Sequence, residues 1–220
     1  MSIDFNSLTP EDRFVYDEMF NWNVYQVEQQ EIENKVILDI GGHLGMFDIL
    51  CSKFNPAQII SVEANPNNCL QLTRNTIEFN NIKVINAACS YRTGDLITIS
   101  DEGCMSQVGK GTITVPTVSL EFLVNLTGQS DQVLKIDVEG AEHDIFTKSP
   151  KHIFSKIKTI YMEAHGENVS GKGKTIESID NYVQSLGYTK TWHGLFHTNM
   201  PDGTKKPNED IAILKFTKAL

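Results

Sequence analysis

The sequence lacks several features that would indicate particular classes of protein. It has only four cysteines in 220 residues, and none of them forms a C-x-x-C pair. Because no basic and apolar leader opens the sequence, we expect reduced thiols in a cytoplasmic protein rather than a disulfide framework or a zinc finger. No apolar run approaches the roughly 20 residues that a membrane-spanning helix needs, so we expect no membrane partner.

Positive charge is also scarce. The chain carries 19 lysines and arginines against 28 acidic residues, which gives a formal net charge of -9. Proteins that bind nucleic acids normally present clustered positive charge to the phosphates. We therefore expect a small, neutral molecule as the partner rather than a nucleic acid, and the sequence leaves the oligomeric state open.

From Lys35 onwards, short β-branched runs alternate with longer helical patterns. This alternation is typical of βαβ units and predicts an α/β protein with a parallel sheet covered on both faces. The predicted strands are KVILDI, QIISVEA, IKVINAA, QVLKIDV and TIYMEAH, and the predicted helices begin near Leu44, Pro66, Ser119 and Ala141. Two further β-like runs, YTKTWHG and DIAILKF, predict an antiparallel hairpin at the end of the chain.

Two regions depart from this alternation. Residues 1–35 are rich in aromatic side chains and predict one or two helices, which either pack on the sheet or cover a site as a cap or lid. We treat them as an N-terminal segment before a main domain of residues 36–220. Residues 93–115 predict two short strands around a glycine-rich loop, an insertion that could shape a substrate pocket.

A glycine-rich turn follows the first predicted strand, in VILDIGGHLGMF. Ligands of α/β proteins bind at this edge of the sheet, and glycine lets the backbone approach them closely. The turn lacks the G-x-G-x-x-G fingerprint of dinucleotide-binding proteins and reads instead as D-x-G-x-x-x-G, from Asp39 through Gly41 to Gly45. A carboxylate at Asp39 would repel a pyrophosphate and attract an ammonium group, which favours S-adenosylmethionine as the cofactor.

The next two strands end in residues that suit the rest of a nucleoside. Glu63 can accept both ribose hydroxyls, although NAD enzymes use an acid in the same way. At the end of the third strand, Asn86 and Ala87 offer an amide and a small side chain where an adenine ring would lie. Together with the glycine turn, these residues predict a nucleoside site.

Several segments resemble the FkbM family of S-adenosylmethionine-dependent methyltransferases. They occur in the expected order as ILDIGGHLG, SVEANPNNCLQLTRN, VINAACS, VPTVSLEFLV, VLKIDVEGAEHDIF and YMEAHG. The resemblance implies a Rossmann-like class I methyltransferase fold, which is a three-layer αβα sandwich whose seven-stranded, mostly parallel sheet has one antiparallel strand. The implied cofactor residues are Asp39, Gly41, Gly42, His43, Gly45, Glu63, Ala64, Asn65, Asn86 and Ala87. His43 stands where the family usually has asparagine.

The segment LKIDVEGAEHDIF ends the fourth predicted strand, beside the expected position of the methyl donor. A hydroxyl acceptor must lose its proton during methyl transfer, and Asp137 or His165 could accept it. Lys135 would orient Asp137, and Glu163 and His165 would lie next to Asp137 from the neighbouring strand. Alternatively, Asp137, Glu163 and His165 could bind a divalent ion such as Mg²⁺, as in catechol O-methyltransferase. Glu142 has a simple structural explanation, since carboxylates favour helix N-termini.

These interpretations lead to one expected function and two alternatives. We expect transfer of a methyl group from S-adenosylmethionine to a hydroxyl oxygen, which the FkbM resemblance places on a sugar or related natural product. The alternatives are an NAD-dependent oxidoreductase on a similar sheet and a non-catalytic protein that binds S-adenosylmethionine.

Overall fold

A computed structural model of the chain describes residues 3, 8–100, 111–199 and 205–218. The N-terminal segment forms a helix, a π-helical turn over Glu18–Trp22 and a second helix, and a 3₁₀ turn covers Lys151–Lys156. The helices are α1 Pro10–Asp17, α2 Gln29–Ile32, α3 Met46–Ser52, α4 Pro66–Thr76, α5 Leu120–Leu126, α6 Glu142–Lys148, α7 Glu167–Ser170 and α8 Ile176–Ser185. The strands are β1 Val36–Ile40, β2 Gln58–Glu63, β3 Ile82–Asn86, β4 Ala88–Ser90, β5 Leu96–Ile99, β6 Ile113–Ser119, β7 Gln132–Ile136, β8 Ile157–His165, β9 Thr189–Asn199 and β10 Lys205–Thr217.

Seven strands form the main sheet in the order β3-β2-β1-β7-β8-β10-β9. The pairs from β3 to β8 are parallel, whereas β10 runs antiparallel to both β8 and β9. The predicted fold, a mostly parallel seven-stranded sheet with one antiparallel strand, is therefore confirmed. The order of strands brings the carboxyl ends of β1, β2, β7 and β8 to one edge, where ligands of such sheets bind.

Both faces of the sheet are covered by apolar layers. On one face, Leu38, Leu134 and Ile160 pack with side chains of α5, α6 and α8. On the other face, Ile37, Ile59 and Val133 pack with α3 and with the N-terminal segment, including Tyr25 and Ile32. The N-terminal segment thus shares a core with the main sheet. None of the described helices combines the length and the apolar character of a membrane-spanning segment.

The beginnings of three helices follow from their capping residues. Asn65 caps α4 by accepting from the backbone N–H of Asn67 at 2.9 Å, with Pro66 in the first turn. Thr175 caps α8 by accepting from Ser178 N–H at 3.0 Å. The helix expected near Leu44 begins two residues later, because its N-cap Gly45 has the left-handed conformation (φ 82°).

The insertion of residues 93–115 contains strand β5 and the start of β6. These two strands pair antiparallel and join β4 in a separate three-stranded sheet. The two predicted strands are present, while residues 101–110 of the glycine-rich loop, with Cys104, lie outside the described residues. The other three cysteines, Cys51, Cys69 and Cys89, are buried free thiols.

Candidate functional site

The glycine turn after β1 is shaped by its close approach to neighbouring strands. A Cβ on Gly41 would lie 1.8 Å from the carbonyl oxygen of Asp137, and Gly41 has a left-handed φ of +83°. A Cβ on Gly42 would lie 2.2 Å from Ser61 Oγ. His43 adopts a left-handed φ of 49° without being glycine. The first two glycines are therefore required by the packing of the turn between β2 and β7.

Asp39 lies beneath this turn and is fully buried, with Lys135 as its partner. Lys135 Nζ lies 3.3 Å from Asp39 Oδ1 and donates to the carbonyl of Gly41 at 2.7 Å. Burial raises the pKa of Asp39, opposed by the charge of Lys135. Burial and the neighbouring charge of Asp39 raise the pKa of Asp48 well above its usual range. The cation beside Asp39 in this structure is Lys135, whereas the sequence predicted an ammonium group of the cofactor at that place.

A cavity of about 420 Å³ opens at the carboxyl ends of the parallel strands. Ten predicted site residues line it: Gly41, Gly42, His43, Glu63, Ala64, Ala87, Lys135, Asp137, Glu163 and His165. Four predicted residues do not line it. Asp39 is covered by the turn, Gly45 and Asn65 cap helices, and Asn86 donates to the carbonyls of Glu63 and Ala64 at 2.8 and 3.1 Å. Asn86 therefore stabilises the end of β2.

Glu63 is held in a fixed orientation at one end of the cavity. Its two carboxylate oxygens accept one backbone N–H each, from His43 at 2.8 Å and from Asn65 at 2.7 Å. A carboxylate has about four lone-pair sites, so two remain available to a ligand. Burial raises the pKa of Glu63, and the two backbone hydrogen bonds oppose that shift. The adjacent wall is largely apolar and consists of Val62, Ala64, Ala87, Ala88, Cys89 and Ile99.

The other end of the cavity carries the predicted reaction residues. Asp137 Oδ2 lies 3.7 Å from Lys135 Nζ, and its side chain is 28% exposed. His165 Nε2 lies 3.6 Å from Glu163 Oε1 and also 3.6 Å from Glu139 Oε2. The structure therefore brings together the four residues predicted from the ends of β7 and β8.

Glu142 holds His165 from below the cavity. Glu142 Oε1 contacts His165 Nδ1 at 3.0 Å and accepts from Val138 N–H at 2.9 Å and from Gly140 N–H at 3.3 Å. Burial disfavours the charged imidazole of His165, but the hydrogen bond and charge of Glu142, with Glu163 and Asp137, raise its pKa to about 10. His165 is thus an imidazolium at neutral pH, fixed by a buried carboxylate.

The metal-binding alternative involved Asp137, Glu163 and His165. In the described part of the chain, the group whose ligand atoms lie within 4.8 Å of one another is Asp137, Glu142 and His165. Glu163 does not belong to it. His165 contacts Glu142 through Nδ1 and lies 3.6 Å from oxygens of Glu163 and Glu139 through Nε2. The three predicted ligands therefore do not form one compact group of ligand atoms among the described residues.

Three acids of the site region were not among the predicted residues. Glu142 had been explained by helix N-terminal preference alone, and its burial depends on His165 from a distant strand. Glu139 has a left-handed φ of 51° and lies two residues after Asp137 in the sequence, which was the only signal for it. Glu18 lines the cavity from the N-terminal segment, where no sequence pattern marked it.

Comparison with known proteins adds a family and a fold. The family model described as the Methyltransferase FkbM domain matches residues 39–190. A search of curated proteins finds no match. Among solved structures, the methyltransferase FkbM from Methylobacillus flagellatus KT is 15% identical with a TM-score of 0.57, covering 91% of this chain and 47% of that chain.

Two other solved methyltransferases share the fold at similarly low identity. Magnesium protoporphyrin IX methyltransferase from Synechocystis PCC 6803, solved with bound SAM, is 10% identical with a TM-score of 0.55 and covers 100% of this chain and 86% of that chain. Precorrin-6y C5,15-methyltransferase from Geobacter metallireducens GS-15 is 13% identical with a TM-score of 0.50 and covers 100% of this chain and 93% of that chain. Likeness at this level of identity is evidence of the fold alone.

Proposed function

Because this chain belongs to the FkbM methyltransferase family, we propose that it transfers a methyl group from S-adenosylmethionine to a hydroxyl oxygen of a small molecule, such as a sugar or related natural product. Family membership favours methyl transfer over the oxidoreductase alternative. The acceptor oxygen, the acceptor class, the cofactor and a cytoplasmic location are parts of this proposal. The N-terminal segment forms part of the cavity wall and serves as its cap.

The observation that carries the proposal is the fixed carboxylate of Glu63 beside an apolar wall. Two backbone N–H groups orient Glu63 and leave lone pairs that suit the two hydroxyls of a ribose. The neighbouring wall of Ala87, Ala88 and Ile99 suits the flat, largely apolar adenine. Asn86 supports this wall through its bonds to the end of β2 rather than by touching the base. The residues present therefore fit the nucleoside part of the cofactor.

Lys135 suits the amino-acid part of the cofactor. Its ammonium lines the cavity beside the glycine turn and can pair with the carboxylate of the methionine group. Burial disfavours the charge of Lys135, but Asp39 and Asp137 outweigh that effect and raise its pKa. Asp39 thus acts on the site through Lys135, as a positioning residue.

The bound cofactor would supply a methyl group already activated by its sulfonium. In the transfer, the sulfur–methyl bond breaks as the oxygen–methyl bond forms, and the hydroxyl proton passes to a base. Asp137 is our choice for that base, because it lines the cavity and its Oδ2 lies 3.7 Å from Lys135 Nζ. His165, with its pKa of about 10, donates hydrogen bonds and orients the acceptor instead.

A calorimetric titration with S-adenosylhomocysteine and, separately, with NAD tests the cofactor. We expect the first alone to bind, and Glu63→Gln to weaken it at least about tenfold, because the amide offers one acceptor oxygen in place of two. Glu177→Gln is the matched control, since Glu177 is exposed on α8. Binding of NAD, or of neither compound, contradicts the proposal. Binding without methyl transfer to any hydroxyl acceptor of a broad panel would favour the non-catalytic alternative.

A further inference from the structure

One carboxylate in the cavity, that of Glu18, has no hydrogen-bond or ion-pair partner among the residues that the structure describes. Glu18 lies in the π-helical turn of the N-terminal segment, lines the cavity and is only 7% exposed. Its side chain forms no hydrogen bond or ion pair with any residue that the structure describes. A buried carboxylate without a partner is costly, and in a cavity it indicates a place for a ligand.

Glu18 adds to an excess of negative charge at the acceptor end of the cavity. Four carboxylates line this end, namely Glu18, Asp137, Glu139 and Glu163, and the lining cations beside them are Lys135 and His165. Both cations are shared, because Lys135 also pairs with Asp39 and His165 also pairs with Glu142. A bound S-adenosylmethionine would add one net positive charge and still leave the carboxylates in excess.

Burial and the excess of acidic groups raise the pKa of three of these carboxyl groups. Burial and the charge of Asp137 raise the pKa of both Glu18 and Glu139 to about 7, with Lys135 opposing the shift in each case. Burial and the charge of Asp137 likewise raise the pKa of Glu163 well above its usual range. A positively charged ligand would favour the ionised carboxylates and displace these protons.

We infer that the acceptor carries an ammonium group near the hydroxyl that is methylated, and that Glu18 binds this ammonium together with Glu139 and Glu163. The inference rests on the proposed methyltransferase function and deepens it by naming the class of acceptor, an amino alcohol such as an amino sugar rather than the neutral molecule expected from the sequence. Phe14, Val15 and Met19 line the cavity on the same segment as Glu18 and suit the hydrocarbon part of such a molecule.

An organic ammonium fits these carboxylates better than a divalent ion does. Glu18, Glu139 and Glu163 are not part of any compact group of potential metal ligands in the described chain. Mg²⁺ and Ca²⁺ need several oxygen ligands at about 2.0 to 2.6 Å from one centre. An ammonium has three N–H donors that point in different directions and can reach carboxylates that stand apart.

A matched pair of probes tests the inference on the full chain saturated with S-adenosylhomocysteine. The probes are trans-aminocyclohexanol and trans-cyclohexanediol with the two groups on neighbouring ring carbons, so that they differ by one ammonium in place of one hydroxyl. In calorimetric titrations near neutral pH, we expect the amino alcohol to bind at least about tenfold more tightly than the diol. Its binding should also release protons, measured as a dependence of the binding heat on the ionisation enthalpy of the buffer.

Two variants connect this selectivity to Glu18. We expect Glu18→Gln to reduce the affinity ratio of amino alcohol to diol at least about fivefold, because it removes a charge-assisted hydrogen bond. Glu11→Gln is the control, since Glu11 is exposed on the same N-terminal segment. It should leave the ratio unchanged.

Several results would overturn the inference. They are equal or tighter binding of the diol, an unchanged ratio in Glu18→Gln, or no binding of the amino alcohol by protein that binds S-adenosylhomocysteine. Binding of MgCl₂ that depends on Glu18 and excludes the amino alcohol would show a metal site and also overturn it. Failure of the wild-type chain to bind S-adenosylhomocysteine would instead contradict the proposed methyltransferase function.

Discussion

In the proposed reaction, Asp137 accepts the proton of the acceptor hydroxyl. It lines the cavity beside Lys135, whereas the neighbouring His165 is held as an imidazolium by Glu142. We expect Asp137→Asn to lower the rate of methyl transfer by about 10² to 10⁴, the usual contribution of a general base. The measurement is the formation of S-adenosylhomocysteine with an acceptor that supports turnover.

The matched control for Asp137→Asn is Asp131→Asn, which changes an exposed carboxylate before β7. It should keep the wild-type rate. Residual activity of Asp137→Asn that rises steeply with pH would show that hydroxide replaces the missing base. An unchanged rate, by contrast, would remove Asp137 from the reaction and point to Glu163.

The buried carboxylate of Glu18 lowers the free energy of unfolding when it is ionised, and stability measurements can detect this effect. Burial, and next the charge of Asp137, raise the pKa of Glu18 from 4.5 to about 7. The folded state therefore binds the proton of Glu18 more tightly than the unfolded state does. The stabilisation that comes from this proton is complete below pH 4.5 and is lost as the pH rises through about 7. Glu18→Gln keeps the group neutral at every pH. We expect the variant to be more stable than wild type by about 1 to 2 kcal/mol near pH 8 and equally stable near pH 4.

Chemical denaturation at the two pH values measures this difference in the free energy of unfolding. The pKa of Glu139 is raised in the same way, so the stability of the Glu18→Gln variant should keep part of the pH dependence of the wild type. Glu11→Gln should follow the wild type at both pH values. A Glu18→Gln variant that is less stable near pH 8 would mean that Glu18 has a stabilising partner, and it would weaken the case for a ligand there.

The close approach of the glycine turn after β1 to the end of β7 predicts how much an alanine would destabilise the protein there. Gly41 and Gly94 both have left-handed φ values, +83° and +94°, but they differ in the space around a Cβ. A Cβ on Gly41 would lie 1.8 Å from the carbonyl oxygen of Asp137, whereas a Cβ on Gly94 would meet nothing within 4 Å. We expect Gly41→Ala to cost more than about 3 kcal/mol and Gly94→Ala about 1 kcal/mol, the cost of the φ angle alone.

Thermal and denaturant unfolding of the two alanine variants checks this comparison. S-adenosylhomocysteine binding should be lost in Gly41→Ala. The turn contains the Gly41 carbonyl that accepts from Lys135 and the His43 N–H that donates to Glu63, so its distortion would move both side chains. Similar costs for the two substitutions would mean that β1 and β7 can separate at this edge, and that the tight approach is not required for folding.

The strands and most helix positions could be predicted from the sequence because they depend on local patterns. The β-branched runs around Asp39, Glu63 and Asp137 alternate with helical periodicity, and the carboxyl ends of parallel strands meet at one edge. The site residues Glu63 and Asp137 were therefore predicted as parts of one cavity. The predicted and observed helix starts differ slightly where one backbone conformation sets the start. At Gly45, the left-handed φ places the beginning of α3 at Met46.

The partners of the acidic residues could not be predicted in the same way. An acid at a helix start has the same pattern whether it is exposed or buried, and only the packing of β8 shows that Glu142 pairs with His165. Asp39 was placed correctly at the end of β1, but the strand register that sets Lys135 beside it is a tertiary feature. Glu18 reaches the cavity only because the N-terminal segment folds over the sheet.

The N-terminal segment completes the molecule in two ways. Its aromatic and aliphatic side chains cover one face of the main sheet, and Glu31 bonds both Tyr161 of β8 and Lys215 of β10, at 2.5 and 2.7 Å. The same segment contributes Glu18 and Met19 to the cavity wall. A segment with both roles can shape the site while it remains part of the core.

Unfolding experiments on the whole chain can therefore show whether the N-terminal segment is a packed layer of the fold or a lid that opens by itself. Ile32 is fully buried against the sheet, whereas Ile77, at the end of α4, is 70% exposed. We expect Ile32→Ala to lower the free energy of unfolding by about 3 kcal/mol in one cooperative transition, since it leaves a cavity in the shared core. The matched change Ile77→Ala should stay within about 0.5 kcal/mol of wild type. If Ile32→Ala instead produced an early, separate transition that left the unfolding of the sheet unchanged, the segment would be a lid that opens independently, and Glu18 would reach the acceptor only when that lid is closed.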